Sequence, residues 1–484
     1  MIKNKIIFFA LLIVQLFSQE VYDGLLLFSP TAGGGGTNGI TYLMDNNENI
    51  VHSWSFSNGA ASMPYLMPDS SIVYPYRVSN PTMTSGGVGG GITQLSWNGE
   101  VLWNFVVSDV TYQHHHDVEP LPNGNILIIA WENFSWTDAQ AMGRTSIDNP
   151  LNQMWSEAIL EYNPTQDEIV WEWHLWDHLV QDIGEEYNAT YGNISDHPEL
   201  FNINQGNVGS MGGPGGPNAD WMHINAIAYN VELDQIVFSS RHQDEIFIID
   251  HSTTTEQAST HTGGNSGMGG DILYRWGNPQ NYGRGTNSNQ VLESQHGVNW
   301  VNSGFPGAGN LILFNNGYTN NTSAAMEFVP PLNDNGTYDI EDGEPFGPIS
   351  VEWYHAQNGV QSGVQGGAFR LPNGNTLITE ADDAFVIEVS PEGNVVWQYT
   401  YSGNNAMIAR CTKYDLTNLG GNYILLGDVN FDNIINVLDV IQVINFILGV
   451  STPSSDQLIS ADMNEDTLVN VTDIVMIVNF ILNN

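Results

Sequence analysis

The chain has 484 residues, with ten Lys plus Arg set against fifty-three Asp plus Glu, a formal net charge of −43. So little basic sequence excludes nucleic acid and anionic membrane surfaces as partners, because both need Lys or Arg to replace their counterions. Cys411 is the single cysteine, so no intramolecular disulfide can form, and the fold must be held by burial, hydrogen bonds and metal instead.

Residues 1–18 read as a signal peptide: Lys3 and Lys5 precede an apolar run from Ile6 to Phe17, which meets small and polar residues at Ser18 and Gln19. About a dozen apolar residues are short for a bilayer span, and no later stretch is longer. The expectation is a protein that is secreted, periplasmic or held at the cell surface, and not an integral membrane protein. Its charge fits salty or calcium-rich surroundings, where carboxylate self-repulsion is screened.

Six times a short β-like run is followed by a polar turn and a second run carrying tryptophan: 41–54, 93–105, 159–173, 246–277, 326–355 and 385–399. A second phrase recurs between them, in which a strand follows a turn: 68–76, 122–130, 233–241, 309–317 and 372–380. Alternating short strands, Asn-Gly and Pro-Asn-Gly turns and scarce amphipathic helix define an all-β region. Six such units predict a six-bladed β-propeller over residues 21–412, whereas a β-sandwich needs no sixfold copy. The repeated Trp is expected to pack between neighbouring blades. Long Gly-, Asn- and Ser-rich inserts at 204–220 and 261–271 are expected as loops at one face.

Three units carry histidine just ahead of their inner strand, in HHHDVEPLPNGNIL (114–127), MHINAIAYNVELDQIVF (222–238) and QHGVNWVNSGFPGAGNLILF (295–314). Equivalent positions of successive blades surround one channel, so His115 or His116, His223 and His296 should converge near its mouth. Asn225 and Arg241 come from the same unit as His223. Imidazoles, an amide and a guanidinium suit an anionic tetrahedral group such as sulfate or phosphate, since Arg offers a fixed fork of donors and His serves as donor, base or nucleophile. His114, His115 and His116 could instead ligate zinc or copper, yet adjacent strand residues alternate faces and cannot all reach one ion. His52, His174 and His355 read as packing.

The phrases HHDVEPLPNGNIL, HINAIAYN, SSRHQDEIFIID, RWG and SQHGVNW resemble the aryl-sulfate sulfotransferases, a secreted or periplasmic family of six-bladed propellers, across most of residues 21–412. The resemblance implies sulfuryl transfer from a phenolic sulfate donor to a phenol acceptor, without a nucleotide cofactor, through a sulfated histidine. Carried over, His296 is the nucleophile, His223 and Asn225 bind or protonate around the sulfuryl oxygens, Arg241 holds their charge, and one of His115 and His116 completes the cradle. A neutral imidazole can attack sulfur and later surrender the group, which splits one hard transfer into two easier ones. The reading from a different class is a calcium-dependent extracellular module binding glycan or protein. A sulfatase or phosphate-ester hydrolase is a third.

After about residue 415 the pattern changes to GDVNFDNIINVLDVIQVINFILG (427–449) and ADMNEDTLVNVTDIVMIVNFILN (461–483), two copies 34 residues apart. Each loop offers oxygens at EF-hand spacing: Asp428, Asn430, Asp432, Ile434, Asn436 and Asp439, then Asp462, Asn464, Asp466, Leu468, Asn470 and Asp473, with Ile434 and Leu468 at the backbone-carbonyl position. The pair resembles a type I dockerin, a small α-helical domain expected over 424–484. The resemblance implies structural calcium and a cohesin-like or cell-surface partner. At the usual glycine position stand Asn433, which tolerates a left-handed backbone, and the β-branched Thr467, which does not. The second loop is therefore expected to bind calcium more weakly. The apolar helices, VIQVINFIL and IVMIVNFIL, point to a partner unlike a standard cohesin.

Overall fold

The computed structural model describes residues 20–32, 39–212, 215–319, 322–357, 359–403, 406–415, 426–430, 435–464 and 468–483. Lys3, Lys5 and the rest of the expected signal peptide lie outside them, as do Asp432, Asn433, Ile434, Asp466 and Thr467.

Six four-stranded antiparallel sheets follow one another along the chain as the blades of a propeller. Blade 2 comprises Tyr65–Leu66, Ile72–Arg77, Gly90–Leu95 and Val101–Val106; blade 3 comprises Tyr112–Pro120, Ile126–Ser135, Gln153–Asn163 and Glu168–His174. Blade 4 is Ile224–Asn230, Gln235–Ser240, Glu245–Asp250 and Ile272–Trp276, and blade 5 is His296–Trp300, Leu311–Thr319, Thr322–Phe328 and Trp353–His355. Blade 6 is Gly367–Arg370, Thr376–Glu380, Phe385–Val389 and Val395–Thr400. Blade 1 closes the ring: the late strand Thr412–Tyr414 supplies its inner edge and pairs with Leu25–Phe28, followed by Gly39–Met44 and Ile50–Phe56.

Position in the blade explains the sequence of each strand. Middle strands are covered on both faces by neighbouring blades, so Gln235–Ser240 and Glu245–Asp250 are buried at every residue and carry the unbroken apolar stretches Ile236–Phe238 and Ile246–Ile249. Outer strands face water on one side, and Val395–Thr400 alternates accordingly.

The repeated tryptophans join blade to blade by a hydrogen bond as well as by area. Indole Nε1 donates to a carbonyl of the next blade or its connections from Trp54 (Ser96, 3.1 Å), Trp173 (Gly270, 2.8 Å), Trp276 (Pro348, 2.9 Å), Trp353 (Pro391, 3.1 Å) and Trp397 (Asn46, 3.0 Å). The last of these runs from blade 6 to blade 1 and seals the ring. In blade 2, Trp103 bonds Gln94 within its own blade and packs on Tyr162 of blade 3 at 5.6 Å.

The inserts at 204–220 and 261–271 are loops wherever they are described. A small parallel sheet absent from the sequence reading, Leu179–Gln181 between Thr190–Tyr191 and Phe201–Asn202, lies between blades 3 and 4 in the chain. At the C-terminus, helices Val437–Ile447, Ser455–Ala461 and Val471–Asn483 bury Val440, Val443, Ala461 and Ile477 together with Val429. Among the described residues no helix is long and apolar enough to cross a membrane.

Candidate active site on the propeller axis

A small cavity on the propeller axis is lined by Ala61 and Ser62 ahead of blade 2, His116 of blade 3, Asn225 of blade 4, His296 and Gly297 of blade 5, Gln365 and Gly366 ahead of blade 6, and Arg410 ahead of the inner strand of blade 1. Every blade thus contributes from the same end of its inner strand. The local device is a β-bulge: strand pairing slips beside residues 115–117, 225 and 297–298 in blades 3, 4 and 5. A bulge re-aims the side chains around it. At two of these places a non-glycine residue takes a left-handed backbone, His116 at φ +51° and His223 at φ +54°, a conformation that persists only where the surroundings enforce it.

The surroundings do so through Gly87. Its carbonyl accepts the His116 amide at 2.6 Å, and any side chain at this φ +73° residue would overlap the His116 ring. The Gly-rich stretch after Ser85 therefore lets backbone lie flat against the imidazole.

His296 is buried. Its Nδ1 lies 2.8 Å from Oδ1 of Asn316 and 3.0 Å from the Ser294 carbonyl, both acceptors of its proton. Nδ1 therefore carries the hydrogen, and Nε2 keeps its lone pair. Burial pushes the basicity of His296 down to about 3, against the Asn316 bond and with help from the Arg241 charge, so the ring is neutral at ordinary pH.

His116 belongs to a buried relay: its Nδ1 lies 2.8 Å from Nδ1 of His115, whose Nε2 lies 2.8 Å from Glu157. Burial raises Glu157 above the carboxylate range and lowers His115 to about 3. The two rings share one proton between their Nδ1 atoms. Burial and the surrounding imidazoles hold the basicity of His116 well below normal. His115 itself is stacked on Trp131 at 4.2 Å, behind His116, and His114 accepts the Gly90 amide at 2.9 Å. The three consecutive histidines thus have three different partners.

His223 packs edge-on against His116 at 4.5 Å, and its Nδ1 donates to Asp220 at 2.5 Å. Burial opposes ionisation of Asp220, yet the charge and hydrogen bond of His223 outweigh it and hold the carboxyl below the usual range. Asn225 gives its amide to the Gln295 carbonyl at 2.7 Å, which leaves Oδ1 buried without a partner among the described residues. Nε of Arg241 and Oε1 of Gln365 are also buried and unpartnered there. Unpaired buried polar atoms are costly, so their concentration here marks a place prepared for a polar ligand. Arg410 is ion-paired with Asp117, which also accepts from Tyr65 (2.9 Å) and the Ile227 amide (3.0 Å). It also lines a wider cavity of about 560 Å³ further along the axis, with Tyr65, Tyr229, Trp300, Phe305 and Phe369.

The sequence reading named His296, His223, Asn225, Arg241 and one of His115 and His116; His116, Asn225 and His296 line one cavity, whereas His115 is stacked on Trp131. It missed Asp220, Asn316, Glu157 and the Asp117–Arg410 pair. Asp220 stands three residues before His223, and an Asp ahead of a histidine was the one available signal. His52 lies against Trp97 (3.8 Å) and His174 between Glu132 and Glu172 (3.1 Å each), as packing residues do.

In the C-terminal helices, Asp428, Asp439, Asp462 and Asp473 are buried. Asp439 accepts the amides of Val429, Asn430 and Asn436 at 2.8–3.1 Å, and Asp473 those of Met463 and Asn470 at 2.8–3.0 Å, so the twelfth residue draws each loop closed. Eight carboxylates lie between residues 426 and 484, and no Lys, Arg or His follows Lys413. Buried oxygens without side-chain cations are a donor set that fits calcium.

Fold and site together define a six-bladed propeller with an axial histidine site for a polar ligand. The arylsulfotransferase (ASST) family model matches residues 39–333, more than half of the chain, and the chain belongs to this family. The type I dockerin model matches residues 426–482, a domain type that binds calcium. No curated protein matches the chain. Similar solved structures include a Bacteroides caccae protein of unknown function (13% identity, covering 81% of this chain and 98% of that one, TM-score 0.41). Another is the WD40 domain of Toxoplasma gondii coronin (8% identity, 78% and 70% covered, TM-score 0.36).

Proposed function

We propose that the propeller transfers a sulfuryl group from an aryl sulfate to a phenol through His296. The observation that carries this reading is the locked tautomer of His296: Nδ1–H is spent on Asn316 and Ser294, the ring is neutral, and Nε2 alone is available to attack. In the first half-reaction an N–S bond forms at Nε2 while the S–O bond to the aryl group breaks, and the phenolate leaves with a proton. In the second, the acceptor phenol forms the new S–O bond, the N–S bond breaks, and the phenolic proton departs.

Each neighbour has a part in this. His223, oriented by Asp220, gives the proton to the leaving phenolate and takes it from the acceptor. His116 donates from Nε2 to a sulfuryl oxygen while the shared proton stays on His115, Arg241 holds the spreading negative charge, and Asn225 fixes the phenol hydroxyl through its free Oδ1. No nucleotide is needed, because the aryl ester carries the activated group.

The helical domain takes calcium through Asp428, Asn430, Asp432, Ile434, Asn436 and Asp439, and through Asp462, Asn464, Asp466, Leu468, Asn470 and Asp473. It holds the enzyme to a cohesin-like partner outside the cell. The dockerin match and the buried loop aspartates support this part of the reading.

The test is release of phenol from an aryl sulfate, with and without an acceptor phenol, by the wild type and by His296→Asn and Arg241→Ala. Acceptor-dependent release that disappears in His296→Asn is expected. Arg241→Ala should lose about 2–4 kcal/mol of barrier lowering, the scale of a lost oxyanion donor. Wild-type turnover in His296→Asn would overturn the assignment.

A further inference from the structure

Away from the axial site, two histidines from different blades meet at one carboxylate oxygen. His178 closes the turn Leu175–Asp177 that follows the outer strand of blade 3. His261 and Asp271 lie in the segment joining the third and fourth strands of blade 4. Oδ1 of Asp271 is 2.7 Å from Nδ1 of His178 and 2.8 Å from Nδ1 of His261. The ring centroids stand 6.0 Å apart at 83°, so the imidazoles reach the oxygen from different directions.

The far nitrogen of His178 decides what this means. Nε2 lies 2.8 Å from the Ala258 carbonyl, which only accepts, so Nε2 carries a hydrogen. A neutral His178 then presents a lone pair from Nδ1 to a carboxylate oxygen, and two lone pairs at 2.7 Å repel. A proton or a metal cation must stand between them. Metal-ligating histidines are held in this way, with the far N–H tied to a carbonyl.

The frame around the cluster is rigid. Trp173 lies parallel to His178 at 5.7 Å and donates to the Gly270 carbonyl, and a side chain at Gly270 would overlap the Ala258 carbonyl and crowd Nε2 of His178. His178 and Asp271 are buried, whereas the His261 side chain is 52% exposed, so two ligands are pre-set and the third opens to solvent.

We propose that Nδ1 of His178, Nδ1 of His261 and the Asp271 carboxylate bind one zinc-class divalent ion, with water in the remaining position, clamping blade 3 to blade 4. Two imidazoles and one carboxylate suit zinc, whereas calcium takes oxygen throughout. Ligands of a tetrahedral zinc stand about 3.3 Å apart, so both imidazoles have to stand off the Asp271 oxygen by about half an ångström, which takes a shift of the exposed His261 on one side and a small swing of the Asp271 carboxylate away from His178 on the other. The net charge of −43 concentrates divalent cations at the surface. In a chain with a single cysteine, a metal clip supplies the cross-link that a disulfide cannot. On binding, the proton of His261 moves from Nδ1 to Nε2, and the one between His178 and Asp271 leaves to solvent, so about one proton is released per ion.

The experiment uses the full-length protein, stripped of transition metals and kept in excess calcium, then titrated calorimetrically with zinc and examined with cobalt. One saturable zinc per chain, proton release that scales with buffer ionisation enthalpy, a rise in Tm of a few degrees and visible cobalt d–d bands are expected. All four should vanish in His261→Ala, whose zinc-free Tm matches that of the wild type, and all should survive in His223→Asn. Zinc binding unchanged in His261→Ala, or lost only in His223→Asn, would assign the ion to the axial histidines and overturn the proposal. Absence of saturable binding at micromolar zinc would overturn it too, leaving an imidazolium–carboxylate pair.

Discussion

His296 and His116 are both buried imidazoles of low basicity, yet their Nδ1 atoms face different partners: the Asn316 side-chain oxygen in His296, and His115 backed by Glu157 in His116. His296, His114 and His115 are each lowered by burial from 6.5 to about 3. At these three positions the unfolded chain therefore binds more protons than the folded one below pH 6.5, and the stability they contribute, fully present above that pH, drains away as it falls toward 3. Acid titration followed by tryptophan fluorescence should show loss of structure in that window, less steep in His296→Asn, while turnover keeps no limb from nucleophile protonation above about pH 5. Asp220→Asn tests the orienting carboxylate: kcat should fall on the order of 10²–10⁴-fold, as for other His–Asp pairs, with near-wild-type substrate binding; an unchanged kcat would remove His223 from proton transfer. The histidines, Asn225 and Arg241 were legible because they recur ahead of inner strands in a chain poor in basic residues. Asn316 and Glu157 were not, since they stand 20 and 42 residues from the rings they tune, and only the folded ring brings them there.

Blades were legible at the level of elements because each repeats the same strand–turn–Trp phrase, and the tryptophans turn out to bond forward to the next blade. The closing strand Thr412–Tyr414 was beyond such reading, since three residues carry no period. Its lysine shows how the seam is held. Lys413 donates to Glu388 of blade 6 at 2.6 Å and to Asn46 of blade 1 at 2.6 Å, with its ammonium 4.5 Å from the Trp397 ring centroid. It is the one lysine beyond residue 5. Burial lowers its basicity, opposed by Glu388. A buried charge left without its partner costs about 3–5 kcal/mol, whereas replacing both members by apolar groups is close to neutral. Lys413→Met should therefore lower the unfolding free energy by about that amount in chemical denaturation, and Lys413→Met with Glu388→Gln should recover most of it, because the neutral side chain keeps an oxygen for the Tyr22 amide and Asn375. Equal losses in single and double variants would mean that the seam is held by packing alone.

Across the whole molecule, cations are spent sparingly. Arg144, Arg275, Arg284, Arg370 and Arg410 each hold a carbonyl or carboxylate, while the last 71 residues after Lys413 contain no basic side chain at all. The propeller neutralises its buried acids with its own arginines, histidines and lysine; the helical domain has no such means. Its helices bury few residues, chiefly Val429, Val440, Val443, Ala461 and Ile477, and small cores seldom suffice without a staple. Folding of this domain should therefore be coupled to calcium while that of the propeller is not. Chelation at moderate salt is expected to remove helical far-ultraviolet signal and the low-temperature calorimetric transition, leaving near-ultraviolet tryptophan signal and turnover of soluble aryl sulfates unchanged. High monovalent salt should restore little, because screening weakens repulsion between exposed carboxylates but supplies no ligand for the buried Asp428, Asp439, Asp462 and Asp473. Full recovery of helix in salt alone would show that repulsion, and not coordination, keeps the domain apart.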